Sequence, residues 1–193
     1  MHIAKPQSKQ PIPENATRVF KGVIFDVYQW EQELFDGSRT MFEKLRRPDT
    51  VLVVPVTEDG KIILCRQQQP GQDVFVGTFG GRVDEGESPI EAAKRELLEE
   101  SGYEAADWIL LDAHQPVSKI EWAVYIFIAR GCRKVTEQDL DGGEKIDLDF
   151  VTFDEFVQRA VDPNFEEKEL RVKLLEAKLD ANKMAELKKL ILG

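Results

Sequence analysis

Residues 80–103 read GGRVDEGESPIEAAKRELLEESGY, a glycine pair followed by seven acidic residues within one short stretch. Ser88 lies just before a proline, and Glu91 follows three positions later, which is the pattern of a capping box at a helix N-terminus. Alanines and leucines then support a helix until Gly102, a residue type that commonly ends one. The sequence therefore predicts a helix over Pro89–Ser101 that carries four of the seven acids.

Three of these acids share one face of the predicted helix. Glu96 lies three residues before Glu99 and four before Glu100, so the three carboxylates project from neighbouring turns. Their charges repel each other and lie near the negative end of the helix dipole, which disfavours the arrangement without a cation. A divalent cation bound by oxygen ligands would reverse that balance. The alternative is a solvated charged face, the commoner explanation for an isolated acidic helix.

The composition restricts the classes of function. The 193-residue chain suits one domain with a small appendage, and 42% of its residues are hydrophobic, enough for a core. A formal net charge of −10 argues against non-specific binding to nucleic acid or to an anionic membrane. No apolar run reaches the length of a membrane span, and the N-terminus lacks the apolar segment of a signal peptide. Cys65 and Cys132 have neither zinc-site nor disulfide spacing, so we expect free thiols in a cytoplasmic protein.

The rest of the sequence predicts strands on both sides of the helix. Residues 1–16 are polar and rich in proline, which predicts a loose arm, and residues 17–47 contain β-rich runs around an Asp-Gly turn, which predicts a small antiparallel unit. The C-terminal tail carries a leucine stripe and predicts one amphipathic helix, packed on its own domain or on a second subunit. We expect an α/β fold of the α+β sandwich type, a mixed β-sheet flanked by helices. Its units would be the N-terminal arm and β unit over 1–48, the main domain over 49–164 and the C-terminal helix over 165–193.

The opening stretch resembles the Nudix box, the sequence motif of the Nudix hydrolase family. The motif is Gly, five residues, Glu, seven residues, then Arg-Glu-aliphatic-any-Glu-Glu-any-Gly-aliphatic. The chain departs from it only at the last position, where Tyr103 replaces an aliphatic residue. Fixed spacing over nine positions makes this a strong signal. The matching residues are Gly81, Glu87, Arg95, Glu96, Leu97, Glu99, Glu100 and Gly102.

The resemblance implies a Nudix fold and hydrolysis of a nucleoside diphosphate linked to another group, with Mg²⁺ or Mn²⁺ as the cofactor. By position, Glu96 and Glu100 are the principal metal ligands and Glu99 lies beside them. The carbonyl of Gly80 is a further candidate ligand. Glu99 is also assigned to the catalytic group together with Arg95. A metal would neutralise the anionic diphosphate and orient the attacking water.

The other positions of the motif organise the loop and the helix. Gly81, Glu87 and Gly102 are assigned structural roles by the resemblance. Arg95 can pair with Glu87, or with a glutamate one helical turn away on either side. The glycine pair would bring the backbone close to the metal site.

The residues upstream of the box resemble the ADP-ribose and nucleoside-diphosphate-sugar pyrophosphatases, a subgroup of the family. In that subgroup a small N-terminal β unit joins a homodimer whose two subunits build the nucleotide pocket. By position, Phe42 would stack on the base, Glu43 and Arg47 would line the pocket, and Arg66 would contact phosphate. The alternatives are ordinary packing for Phe42 and surface charge for the two arginines.

The same subgroup takes its general base from a loop beyond the box. The segment DLDGGEKIDLDF fits that place and offers Glu144 between a Gly-Gly turn and the next strand. A carboxylate near bound metal can accept the proton of the attacking water. Glu137 is the competitor, and a solvated loop glutamate is the third possibility.

We therefore expect Mg²⁺-dependent hydrolysis of ADP-ribose or a nucleotide sugar to a nucleoside monophosphate and a sugar phosphate. Two departures bear on the substrate. Residues 77–81 read GTFGG where the subgroup has Glu-Leu-Pro-Ala-Gly, and Pro116 lies near an ADP-ribose-associated proline in a poorly matching context. The alternatives are a dinucleotide, NADH or nucleoside triphosphate substrate, or a non-catalytic nucleotide-binding module. A nucleic-acid role fits poorly with the acidic charge.

Overall fold

The computed structural model describes residues 3–193; Met1 and His2, the first two residues of the predicted N-terminal unit, lie outside the described residues. Its strands are β1 Thr17–Lys21, β2 Asp26–Glu33, β3 Arg39–Arg46, β4 Thr50–Thr57, β5 Ile62–Gln68, β6 Phe75–Gly77, β7 Tyr103–Glu104, β8 Asp107–His114, β9 Ile120–Glu121, β10 Val124–Lys134 and β11 Lys145–Val151. Its helices are α1 Pro89–Ser101, α2 Phe153–Gln158, α3 Lys168–Leu179 and α4 Ala181–Leu192, with one 3-10 turn at Arg159–Val161.

The N-terminal strands form a small sheet in the order β1-β2-β3-β9. The strands β1, β2 and β3 are antiparallel neighbours, and β9 joins β3 in parallel. This sheet matches the predicted antiparallel unit, with Gly37 in the turn between β2 and β3 at a φ of 81° that favours glycine. The first β-rich run is divided into two strands, because Gly22 N–H donates to the Phe25 carbonyl at 2.9 Å and turns the chain.

The N-terminal arm is fixed to this sheet, contrary to the loose arm that its composition predicts. Lys44 of β3 is buried, and its ammonium donates to Ser8 Oγ and to the Gln10 carbonyl at 2.6 Å each. Glu121 accepts the Ile12 N–H at 3.0 Å. A buried ammonium needs polar partners, and the arm supplies them.

The main sheet has seven strands and carries helices on both faces. Its path runs β11-β5-β4-β10-β7, with β6 paired to β5 and β8 paired to β10. Val53 of β4 belongs to the core cluster that contains Leu97 of α1. The next residue, Val54, belongs to the opposite cluster, with Leu170 of α3 and Leu187 of α4. This alternation gives the α+β sandwich that the sequence predicts.

The helix α1 has the bounds that the sequence predicts. Ser88 Oγ accepts the Glu91 N–H, and the Glu91 carboxylate accepts the Ser88 N–H at 2.9 Å, so both halves of the capping box are present. Gly102 ends the helix at a φ of 76°, and its N–H donates to the Leu98 carbonyl at 2.8 Å. A side chain at Gly102 would also collide with the Thr136 carbonyl, so two constraints require glycine there.

The C-terminal tail is helical, but it forms two helices where the sequence predicts one helix over 165–193. Asp180 has a φ of −136° and ends α3. Its carboxylate then caps α4 by accepting the N–H groups of Asn182 and Lys183 at 2.8 and 3.3 Å. The leucine stripe continues across this break, which explains why periodicity alone predicts a single helix. The first helix begins at Lys168, because Phe165 is buried in a parallel bridge with Val76.

Two further features bear on the environment of the protein. Cys65 and Cys132 are both free and buried. Within residues 3–193, the helices are all too short or too polar to cross a membrane.

Candidate active site

A cavity of about 570 Å³ lies between residues 80–100 and the loop that precedes β11. Seven of its lining residues are acidic and two are arginines, so it would repel an anionic substrate unless cations were also bound. Its lining residues are Gln69, Gly80, Gly81, Arg82, Asp84, Arg95, Glu96, Glu99, Glu100, Asp139, Leu140, Asp141 and Glu144.

Arg95 orients the acidic face of α1. Its Nε and Nη2 donate to the two oxygens of Glu87 at 3.0 Å each, and Nη1 donates to Glu96 at 2.8 Å and to Glu99 at 3.2 Å. The hydrogen bond with Glu87 is the largest cause of the raised pKa of Arg95, and it lowers the pKa of Glu87 in turn. Glu91 is used by the capping box. Arg95 therefore pairs with Glu87 and Glu99, which the sequence allows as partners. It also pairs with Glu96, its neighbour in the sequence.

Glu100 is the buried acid of this face. Only 7% of the residue is exposed, and one of its oxygens accepts the Gly80 N–H at 2.8 Å. Burial raises the pKa of Glu100 to about 9, although the Gly80 N–H opposes the shift. Burial also raises the pKa of Glu96. Both carboxyls therefore lie where a positive charge would favour their ionised forms.

The glycine pair brings the backbone close to these carboxylates. A Cβ at Gly80 would collide with the Val51 carbonyl, and a Cβ at Gly81 would collide with the carboxylate of Glu96. The carbonyls of Phe79 and Gly81 accept from N–H groups of β4 at 2.8 and 2.9 Å, which fixes this segment along the sheet. Residues with side chains would force either the strand or Glu96 away from the cavity.

The loop over residues 138–144 forms the opposite wall and is attached to the end of α1. Gln138 Nε2 donates to the Glu100 carbonyl at 2.6 Å, and Asp139 N–H donates to the Glu99 carbonyl at 2.8 Å. The last carbonyls of a helix have no hydrogen-bond donors within the helix, and this loop supplies donors to two of these carbonyls. The loop is therefore hydrogen-bonded to the backbone of Glu99 and Glu100, which are two of the candidate metal ligands.

Glu144 reaches the cavity, whereas Glu137 does not belong to its lining. Glu144 is half-buried, and burial together with the charge of Asp141 raises its pKa. Glu137 pairs with Lys134 at 2.9 Å, and 90% of its side chain is exposed. Of the two candidate bases, Glu144 is the one that faces the acidic residues of α1; its catalytic role stays a prediction.

The donor set of the cavity suits a hard divalent cation, because every candidate ligand is a carboxylate or carbonyl oxygen. Across residues 3–193, no three Asp, Glu, His or Cys side chains already form a group that could hold a metal. Arg95 occupies oxygens of Glu96 and Glu99, and the Gly80 N–H occupies one oxygen of Glu100 and leaves the other without that contact. An ion would compete with Arg95 for the oxygens of Glu96 and Glu99, which line the same cavity as Glu100.

The residues expected to bind the substrate are not all brought together in the single chain. Phe42 packs on Trp30, with ring centroids 6.1 Å apart. Glu43 is exposed and accepts from Gln29, and Arg66 is exposed on β5. These three positions, Phe42, Glu43 and Arg66, lie outside the lining of the cavity. Their predicted roles are untested by this arrangement.

Arg47 lies outside the lining of the cavity and packs against two aromatic rings. Its guanidinium lies 4.7 Å from the centre of the Trp122 ring and 5.7 Å from that of Phe25. Burial and the charge of Arg82, which lines the cavity, lower the pKa of Arg47. Of the described residues, no acid is among the groups that shift the pKa of Arg47, so the two guanidiniums are suited to an anionic group.

Sequence reasoning missed several lining residues, among them Gln69, Arg82, Asp139 and Asp141. Arg82 follows the glycine pair directly, so its position near the cavity follows from the motif. The two aspartates precede the Gly-Gly turn of the Glu144 loop, and their place follows once that loop is located. Gln69 comes from the end of β5, and no local signal marks it.

Comparison with known proteins identifies relatives over most of the chain. The model of the NUDIX domain matches residues 46–172. The chain is 31% identical over 145 residues to a methanol dehydrogenase activator of Bacillus methanolicus, covering 73% of this chain and 78% of that protein. It is 30% identical over 141 residues to an ADP-ribose pyrophosphatase of Bacillus subtilis (strain 168), covering 72% and 76%.

Two further relatives are an enzyme and a solved structure. The chain is 34% identical over 106 residues to the ADP compounds hydrolase NudE of Escherichia coli (strain K12), covering 53% of this chain and 56% of that protein. The crystal structure of an ADP compounds hydrolase superposes with a TM-score of 0.70 at 24% identity, covering 94% of this chain and 98% of the other. This likeness shows that the two chains share a fold.

Proposed function

This chain belongs to the NUDIX family and is a Nudix hydrolase, and we propose that it hydrolyses the diphosphate bond of ADP-ribose or of another nucleotide sugar. The products would be a nucleoside monophosphate and a sugar phosphate. The observation that supports the proposal is that Glu96, Glu99, Glu100 and Glu144 line one cavity together. Relatives named for ADP-ribose and ADP compounds favour an adenine nucleotide as the substrate.

Nudix hydrolases generally use a divalent metal ion, and the oxygens of this cavity suit Mg²⁺ or Mn²⁺. We assign the carboxylates of Glu96, Glu99 and Glu100 and the carbonyl of Gly80 to hold it. When bound, the ion would neutralise the diphosphate and lower the pKa of the attacking water. Arg95 keeps Glu96 and Glu99 on one side of the cavity, so it organises the ligands before the ion arrives.

Glu144 supports the proton transfer in this scheme. Its carboxylate accepts a proton from the attacking water as the water oxygen bonds to phosphorus. The bond between that phosphorus and the bridging oxygen breaks, and the leaving phosphate takes the electron pair. The pKa of Glu144 is raised by burial, which makes its carboxylate a stronger base than one in free solution.

A homodimer would complete the substrate site. The small sheet exposes apolar side chains, including Val19, Phe20, Val23 and Met41, which a second copy would bury. We infer that 1–48 serves dimerisation and the nucleotide pocket, 49–164 the chemistry and 165–193 packing. In such a dimer, Phe42, Glu43, Arg47 and Arg66 would contact the nucleotide.

The remaining assignments concern partners and location. The net charge of −10 supports a small-molecule substrate, with neither nucleic acid nor membrane as a partner. The two buried free thiols support a cytoplasmic protein, since such thiols persist in a reducing compartment.

Incubation with a panel of diphosphates tests the proposal. Purified protein with Mg²⁺ is given ADP-ribose, nucleotide sugars, dinucleoside polyphosphates, NADH and nucleoside triphosphates, and the products are separated by chromatography. We expect the highest kcat/KM with ADP-ribose or a nucleotide sugar, yielding the monophosphate. Preference for a dinucleotide, NADH or a triphosphate would replace the proposed substrate, and turnover of none of the panel would overturn the proposal.

A further inference from the structure

The segment 76–80, which leads into the glycine pair, presents alternate N–H groups along one edge. Val76 N–H donates to the Asn164 carbonyl at 2.9 Å. Thr78 N–H donates to Glu167 Oε1 at 3.2 Å, and Gly80 N–H donates to Glu100 Oε2 at 2.8 Å. The acceptors along this edge are therefore one backbone carbonyl and two carboxylates. Glu100 is a candidate metal ligand, whereas Glu167 has no assigned role.

Glu167 does not use its carboxylate to cap its own helix. It occupies the N-cap position of α3 and makes no side-chain hydrogen bond to the first turn of that helix. Its carboxylate turns instead to Thr78, 89 residues earlier in the chain. Burial raises the pKa of Glu167 to about 7, so the fold keeps this carboxyl where its charge is disfavoured.

Gly77 provides the space that this carboxylate occupies. A Cβ on Gly77 would come within 2.9 Å of Glu167 Oε1, whereas its next contacts, with Cys65 and Gln67, would be ordinary at 3.6 Å. Gly77 has no positive φ, so the backbone there would accept alanine. Among the described residues, the close conflict of alanine at position 77 is therefore with Glu167.

We propose that Glu167 is a positioning residue for the metal site. Its hydrogen bond with the Thr78 N–H fixes the position of the Gly80 backbone relative to the Glu100 carboxylate. Only Phe79 separates Thr78 from Gly80, so a displacement of one carries the other with it. Gly80 supplies the N–H that orients Glu100 and is itself assigned as a carbonyl ligand. The proposal rests on the proposed metal-dependent function, and it adds a contact from the C-terminal helices that the box motif does not contain.

Mn²⁺ affinity of the substrate-free protein tests this role, measured from the free-ion signal in electron paramagnetic resonance. Glu167→Ala removes the acceptor, and we expect it to weaken Mn²⁺ binding about ten-fold, the scale typical of residues that orient metal ligands. Glu167→Gln keeps an oxygen acceptor for Thr78, and we expect its affinity to stay within about three-fold of wild type. In turnover, Glu167→Ala should raise the Mg²⁺ concentration for half-maximal rate and leave the KM for substrate nearly unchanged.

Gly77→Ala supplies an independent perturbation of the same contact. It should weaken Mn²⁺ binding by no more than Glu167→Ala does, because its methyl group comes within 2.9 Å of a carboxylate oxygen and a small movement of that side chain relieves the contact. In the double variant the methyl group meets no carboxylate, so its affinity should equal that of Glu167→Ala alone. Glu166→Gln is the matched control, since this neighbour has an exposed side chain, and it should bind as wild type does.

Thermal unfolding of each variant confirms that it is folded at the temperature of the titration. Wild-type affinity in Glu167→Ala, or effects of Gly77→Ala and Glu167→Ala that multiply in the double variant, would overturn the inference alone. An absence of Mn²⁺ binding by the wild-type protein would overturn both the inference and the proposed metal-dependent function. The two failures are therefore distinguishable in one set of titrations.

Discussion

The two walls of the cavity are held by very different numbers of contacts. The wall of α1 is fixed by Arg95, which donates to Glu87, Glu96 and Glu99 at 2.8 to 3.2 Å, and by the Gly80 N–H on Glu100. The wall that carries Glu144 is a loop with a Gly-Gly turn, attached to α1 mainly through Gln138 and the backbone of Asp139. Under the proposed function, the first wall would hold the metal ligands in place, whereas the second would adjust around the substrate.

With the proposed assignments, one wall would bind the ion and the other would accept the proton. Ligands of a hard cation need a defined geometry, which the ion pairs of α1 supply. A base needs only to come within hydrogen-bond reach of the water, and a loop with two glycines can do this. Substitutions in the two walls should therefore have effects of different size and kind.

The largest effect is expected from Glu100→Gln in the α1 wall. The amide keeps the shape of the side chain but removes the charge, so we expect kcat to fall by roughly a thousand-fold, or about 4 kcal/mol of activation free energy. Steady-state hydrolysis of ADP-ribose measures this. Glu104→Gln, an exposed glutamate of β7, is the control. Equal losses in the two variants would contradict the assignment of Glu100.

The next effect belongs to the loop wall. Glu144→Gln should lower kcat about a hundred-fold, the usual contribution of a general base, and leave Mg²⁺ dependence nearly unchanged. Glu137→Gln breaks only an exposed ion pair with Lys134 and should change kcat by less than about two-fold. A larger loss in Glu137→Gln than in Glu144→Gln would reverse the choice of base.

A smaller effect is expected where the loop meets the helix. Gln138→Ala removes the donor to the Glu100 carbonyl, so we expect about a ten-fold lower kcat from misplacement of Glu144. The free energy of unfolding should fall by about 1 kcal/mol for the lost hydrogen bonds. Gln158→Ala, an exposed glutamine of α2, is the comparison in urea unfolding and in turnover. Unchanged kcat in Gln138→Ala would show that the loop holds Glu144 without this link.

The smallest effect is a pH dependence of metal stabilisation. The pKa of Glu100 is about 9 in the fold against 4.5 for an ordinary glutamate, so in the metal-free protein its contribution to stability is full below pH 4.5 and is lost as pH rises towards 9. Cation binding needs the ionised form, so the increase in Tm on adding Mg²⁺ should grow from pH 6 to pH 9. Differential scanning fluorimetry at several pH values measures it. A shift that stays constant or shrinks with pH would argue against Glu100 as a ligand.

Much of the fold follows from local sequence signals. The capping box at Ser88 and Glu91 and the stop at Gly102 define α1 to the residue, because each acts within one helical turn. The break at Asp180 is not predictable in this way, because the leucine periodicity continues through it. Only the backbone of Asp180 leaves the helical conformation. The attachment of the N-terminal arm is not predictable from local signals either, because Lys44 has its hydrogen-bond partners more than 30 residues away.

The candidate site also contains residues that the sequence predicts and residues that it does not. The carboxylates of α1 are predictable because helical spacing places them on one face. The role of Gln138 as the link to the loop is not predictable, since it depends on which carbonyls the end of α1 leaves free. The contact of Glu167 with Thr78 joins segments 89 residues apart, and only the folded chain shows it.

The need for a bound cation is tested by hydrolysis of ADP-ribose by the wild-type protein, first with Mg²⁺ and then with excess chelator. Phosphorus NMR distinguishes the substrate diphosphate from the two monophosphate products. We predict AMP and ribose phosphate in the presence of Mg²⁺ and no turnover after chelation, with activity restored by Mg²⁺ or Mn²⁺. Equal turnover with and without chelator would contradict a cation bound between the glutamates of α1.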